Sequence, residues 1–127
     1  MRKTLRLVLA GTLLFGAGIV VGQKTATARK TLIHAFAFQQ VEGTTQKQLD
    51  DVWAATRKMA GQIPEIRNIW MGKVLNRGNT WQYGVVMEFD SQDALKKYAA
   101  HPAHDEWSKV YSQVRVEGTN TLDIQGQ

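Results

Sequence analysis

The chain contains no cysteine, so it forms no disulfide, offers no thiolate nucleophile and supplies no sulfur ligand to a metal. Its stability must rest on packing alone. Proline is scarce at two residues, and no low-complexity tract is present, which argues against a disordered chain and for a packed core. There is also no Gly-rich phosphate loop, no G-x-S-x-G and no dinucleotide fingerprint, so nucleotide use and serine hydrolysis have no support. At 127 residues the chain has room for one domain.

The formal charge of +5 does not point to nucleic acid. Residues 1–28 hold Arg2, Lys3, Arg6 and Lys24 with no acid, and the remainder holds twelve basic against eleven acidic residues. No basic stripe with interleaved aromatics is present beyond residue 28, so a nucleic-acid partner is not expected. The first 28 residues instead have the form of a secretion signal: Arg2, Lys3 and Arg6, an uncharged apolar stretch from Leu7 to Val21, and Ala26-Thr27-Ala28 as a small-residue cleavage site. The expected organisation is a signal peptide over 1–28 and one domain over 29–127, exported to the periplasm or the extracellular space. The alternative is an uncleaved anchor, in which case the membrane would be a partner.

Beyond the leader, Leu32, His34, Phe36 and Phe38 alternate with Ile33, Ala35 and Ala37, which predicts a strand over 31–39 that is apolar on both faces. Thr44 or Thr45 can cap the next segment, where Leu49, Val52, Trp53, Thr56, Met59, Ala60 and Ile63 recur at helical spacing. Gly61 and Pro64 are expected to end that helix. Strands are predicted over 66–75 and 81–89, joined across Asn76-Arg77-Gly78-Asn79, a connection suited to positive φ. Asp90 to Asp93 can start a short helix bearing Leu95 and Tyr98, with Pro102 as its stop. Trp107, Val110, Tyr111 and Val114 define a further helix, and Leu122 and Ile124 a last strand. The order β-α-β-β-α-α-β predicts an α+β, ferredoxin-like fold with a four-stranded antiparallel sheet and helices on one side. The doubly apolar first and third strands predict that a second copy covers the other side, giving a homodimer.

Few residues can carry chemistry. Tyr98 precedes His101-Pro102-Ala103-His104, and His34 lies in the first strand; imidazole and phenol can exchange protons. The same residues also have ordinary structural roles, His34 as a strand residue, His101 at a helix C-terminus and His104 at the opening of the next helix. Trp70 and Trp81 can support strand pairing or line a pocket. No metal site is expected, because no cysteine or well-spaced third ligand accompanies His101 and His104.

The ordered set Leu32-Ile33-His34-Ala35-Phe36-Ala37-Phe38, Ile63-Pro64-Glu65-Ile66, Gly72, Phe89-Asp90-Ser91, Tyr98 and His101-Pro102-Ala103-His104 resembles the pattern of the stress-responsive α/β barrel (Dabb) domain family over residues 31–125. That resemblance implies a dimeric α+β barrel in which two ferredoxin-like sheets close on each other. A plant polyketide cyclase of this fold performs an intramolecular aldol condensation without a cofactor. The resemblance therefore implies Tyr98 and His104 as an acid/base pair, with His34 in the pocket wall. His34, His101 and Trp70 are the expected ligand contacts. The expected function is a dimeric, stress-related or small-molecule-binding domain for a small apolar organic ligand, with no cofactor. The alternatives are a cofactor-independent cyclase-like or monooxygenase-like enzyme, and a purely structural role.

Overall fold

The computed structural model describes residues 26–76, 78 and 80–127. Most of the expected leader lies outside them. Its last residues, Ala26, Thr27 and Ala28, are exposed and belong to no helix or strand. Among the described residues no helix is long and apolar enough to cross a membrane.

The described residues form, in order, β1 (Leu32–Phe38), α1 (Gln46–Gln62), β2 (Asn68–Lys73), β3 (Tyr83–Phe89), α2 (Gln92–Ala99), α3 (Pro102–Tyr111) and β4 (Asn120–Gln125). The strands form one antiparallel sheet in the order β2-β3-β1-β4. This is the expected ferredoxin-like plan.

Each helix starts where its sequence supplies an oxygen or nitrogen acceptor for an orphan backbone N–H. Thr45 caps α1 in a capping box closed by Gln48, and Ser91 caps α2 by accepting from the Ala94 N–H at 3.2 Å. Gly61 lies inside α1, which ends at Ile63 in an extended conformation, as required of the residue before Pro64. α2 is already closed at Ala100, and Pro102 opens α3 instead of stopping α2, since proline's missing N–H costs nothing in a helix's first turn. β2 is shorter than the expected 66–75 because the Ile66 N–H is taken by the Ile63 carbonyl in the turn leaving α1.

The register fixes the two faces of the sheet. Leu32, His34, Phe36 and Phe38 of β1 stand opposite Phe89, Met87, Val85 and Tyr83 of β3. These residues point toward the helices and, His34 and Tyr83 aside, are buried. Leu49, Val52 and Met59 of α1, with Trp107 and Tyr111 of α3, complete that core. The Trp107 indole N–H donates to the buried Thr56 hydroxyl at 2.9 Å, fixing α3 to α1. On the other face Ile33, Ala35 and Ala37 pair with Glu88, Val86 and Gly84 of β3 and with Ile124, Leu122 and Asn120 of β4. Among the described residues no helix covers that face, and Trp70, Leu122 and Ile124 are each more than half exposed.

The segment before β1 is latched to the end of β4. The Gly126 N–H donates to the Thr31 carbonyl, and the Gln125 amide donates to the Lys30 carbonyl. A Cβ at Gly126 would lie 1.8 Å from the Arg29 carbonyl oxygen, so only glycine permits this approach.

Candidate functional site

Three of the five candidate residues meet. His34 reaches the inner face from β1, Tyr98 comes from the last turn of α2, and His104 sits in the first turn of α3. The Tyr98 ring lies 4.7 Å from the His104 ring in an edge-on arrangement and 5.8 Å from the His34 ring. Phe89 packs against both Tyr98 and His34, so an apolar floor holds the three rings in place. Tyr98 is 3% exposed, whereas the His34 side chain is 16% exposed and His104 is half-buried. The two imidazoles thus form the solvent side of the cluster and the phenol its interior.

A fourth residue joins them. His34 stands opposite Asp123 in the β1–β4 register, and the His34 Nδ1–H donates to the Asp123 carboxylate at 2.6 Å. Holding the proton at Nδ1 leaves Nε2 as the proton-accepting position of the ring. Sequence reading missed Asp123. The available signal was the alternation of β4: if Leu122 and Ile124 face outward, Asp123 between them must face the side that His34 occupies.

The electrostatics of Tyr98 and His104 run in opposite directions. Burial pushes the Tyr98 hydroxyl well above its ordinary value, and neighbouring Tyr111 adds to this. Burial also holds the His104 imidazole below its ordinary value, with His34 acting in the same sense and Asp105 opposing it. Near neutral pH the phenol therefore keeps its proton and the imidazole lacks one, which is the pairing that a proton donor and a proton acceptor require.

Trp70 and His101 lie elsewhere. Trp70 stands opposite Val86 on the open face of the sheet. There it helps line a 530 Å³ cleft together with Ile33, Ile124, Thr31, Asn68 and Glu88. Glu88 is a buried carboxylate, 3% exposed, that accepts from the Thr31 hydroxyl at 2.6 Å and the Asn68 amide at 2.5 Å. These bonds, that of Thr31 first, hold its carboxyl below the ordinary carboxylate value. His101 caps α3: its Nδ1 accepts from the Ala103 N–H at 3.1 Å, and its ring borders a second cleft between α1 and α3. Among the described residues no three His, Asp or Glu side chains converge as a metal site would require.

With this geometry in view, the model of the stress-responsive A/B barrel domain (Dabb) matches residues 32–120. The chain belongs to the Dabb family. Its fold is similar to a Dabb family protein from Mesorhizobium loti (TM-score 0.66, 16% identity, covering 76% of this chain and 96% of that one). It is also similar to a dimeric ferredoxin-like protein of unknown function from Bacteroides fragilis (TM-score 0.62, 24% identity, 78% and 99%). A hydroxynitrile lyase from Passiflora edulis has the same fold (TM-score 0.68, 18% identity, 76% and 93%). No functionally curated protein matches the chain in sequence. At these identities the likenesses define the Dabb fold and leave the chemistry to the residues themselves.

Proposed function

We propose that this Dabb protein is exported and acts as a homodimer that binds a small, largely apolar organic molecule against His34, Tyr98 and His104. The observation that carries the reading is the ring cluster itself, in which a protonated phenol and an unprotonated imidazole lie in contact beside an imidazole oriented by Asp123. Export is supported by the basic, apolar and small-residue order of residues 1–28. Dimerisation is supported by the exposed apolar side chains of Trp70, Leu122 and Ile124 on one face of the sheet. The dimeric description of the Bacteroides fragilis relative agrees with it.

The opposed proton biases of Tyr98 and His104 favour a second reading, cofactor-independent acid–base catalysis. Here the His104 imidazole would remove a proton alpha to a carbonyl and the Tyr98 hydroxyl would donate a hydrogen bond to the oxygen that gains charge. The hydroxynitrile lyase among the structural relatives is an enzyme built on this fold.

Native mass spectrometry of the protein recovered from the exported fraction tests these readings together. The expected species is a dimer of chains beginning at Arg29, carrying a small-molecule adduct that Tyr98→Phe and His104→Gln weaken. A monomer would remove the dimer, and a membrane-bound chain retaining residues 1–28 would replace secretion by anchoring. For the second reading, purified wild-type protein and the same two variants would be assayed for solvent deuterium exchange alpha to the carbonyl of a ketone probe. Exchange that either variant abolishes supports catalysis, and exchange at the uncatalysed rate rejects it.

A further inference from the structure

Asp123 reaches the ring cluster through strand register, and the rules of hydrogen bonding fix what it does there. Its carboxylate lies 2.6 Å from His34 Nδ1. An ionised carboxylate can only accept, so Nδ1 must carry the proton and, in the neutral ring, Nε2 must lack one. His101 is held in the opposite state. Its Nδ1 accepts from the Ala103 N–H at 3.1 Å, which places the proton of its neutral ring on Nε2. At Nε2, therefore, His34 offers a lone pair where His101 offers an N–H.

The two ring nitrogens diverge, so binding Asp123 on the β4 side turns His34 Nε2 away from that strand. Among the described residues neither this nitrogen nor the Tyr98 hydroxyl has a hydrogen-bond partner, and neither is sealed from solvent; the sealed, unpartnered side-chain atom is Arg115 Nε. Tyr98 keeps its proton because burial raises its hydroxyl. The cluster thus presents a nitrogen that accepts and cannot donate beside a hydroxyl able to donate, on rings 5.8 Å apart.

We infer that Asp123 is a positioning residue that sets ligand specificity: by fixing the His34 tautomer it makes the site select a small hydroxy-ketone, whose hydroxyl donates to His34 Nε2 while its carbonyl accepts from Tyr98. The inference rests on the ligand-binding reading of this cluster and adds the polar pattern that the ligand must carry. A ketone without the hydroxyl leaves the His34 lone pair desolvated and unmatched. An ether oxygen in place of the hydroxyl sets one lone pair against another, which discriminates by mismatch as well as by loss.

Long-range proton–nitrogen correlation spectra of isotope-labelled protein, recorded at a pH where the rings are neutral, read the tautomers directly. The expected pattern is Nδ1–H for His34 and Nε2–H for His101. Asp123→Ala should return His34 to the Nε2–H form that an unconstrained imidazole favours, with little change in melting temperature because the Asp123 side chain is half exposed. Both proteins are then titrated with 2-hydroxyacetophenone, its methyl ether and acetophenone. The wild type should favour the hydroxy-ketone about tenfold over the other two, as one neutral hydrogen bond allows, and Asp123→Ala should abolish the preference. A role in folding alone would move the melting temperature and leave the preference intact. Wild-type His34 in the Nε2–H form, or a preference that survives Asp123→Ala, would overturn the inference. Equal binding of all three ketones would overturn the selectivity and keep the ligand site, whereas no saturable binding of any of them would overturn the ligand-binding reading and the inference with it.

Discussion

The two faces of the sheet are built from the same kinds of side chain, yet among the described residues only one of them is covered by helices. Phe36, Phe38, Val85, Met87 and Phe89 are sealed beneath α1 and α3, while Ile33, Ala35, Val86, Trp70, Leu122 and Ile124 form an apolar surface that none of the described helices covers. Hydrophobicity alone does not distinguish core from surface here. What distinguishes them is which face received helices, and that is decided by connections: every crossover of this β-α-β-β-α-α-β order passes over the same side. The chemistry follows the same division. The proton-carrying rings lie on the helix side, and the buried carboxylate Glu88 lies on the open side.

The largest expected effect breaks the covered face. Phe38→Ala empties a fully buried site and should cost about 3–5 kcal/mol, read as a drop in the denaturation midpoint with an unchanged slope. The attachment of the helix layer comes next. Thr56→Val leaves the Trp107 indole N–H buried without its acceptor and should cost about 1–3 kcal/mol in the same experiment. Trp70→Ala on the open face reverses the pattern. The side chain is 55% exposed, so monomer stability should change by less than about 1 kcal/mol, while sedimentation should show dimer converted toward monomer. A large loss of monomer stability with no change in association would mean that the two faces do not divide as proposed.

Two smaller effects sharpen the comparison at its edges. The His104 imidazole is held below its ordinary value of 6.5, so the unfolded chain binds more protons than the folded one in the window just below that value. Stability should therefore be fully present above pH 6.5 and decline as pH falls below it. His104→Gln should flatten that part of the stability–pH curve. Gly126→Ala, which cannot keep its approach to the Arg29 carbonyl, should release residues 29–31 from β4. Faster exchange of the backbone amide at position 126, with the melting temperature nearly unchanged, would register it.

Alternation made the doubly apolar β1 and β3 legible, and helical spacing made α1 and α3 legible, because both signals are local and repeat along the chain. β4 was the weakest element to read: all six of its residues are exposed, so only Leu122 and Ile124 marked it. The site was partly legible. Tyr98 and His104 are six residues apart, and α2 and α3 fold back to bring their rings together. Asp123 lies 89 residues from His34, a pairing that only the strand register creates. Trp70 and His34 fall on opposite faces for the same reason, since alternation within each strand does not say which parity of β2 matches which parity of β1. His101 was placed at the end of one helix and proved to begin the next, because α2 needs no proline to stop it.

The position of β1 in the sheet ties these observations together. Ile33 and Ala35 face the open side and His34, between them, faces the helices, so three consecutive residues divide between the two surfaces. Whatever grips the open face grips the peptide units that set the His34–Asp123 contact. Partner and proton would then be sensed by one short piece of backbone. A substitution at Ala35 chosen to disturb assembly would be felt at an imidazole it never touches.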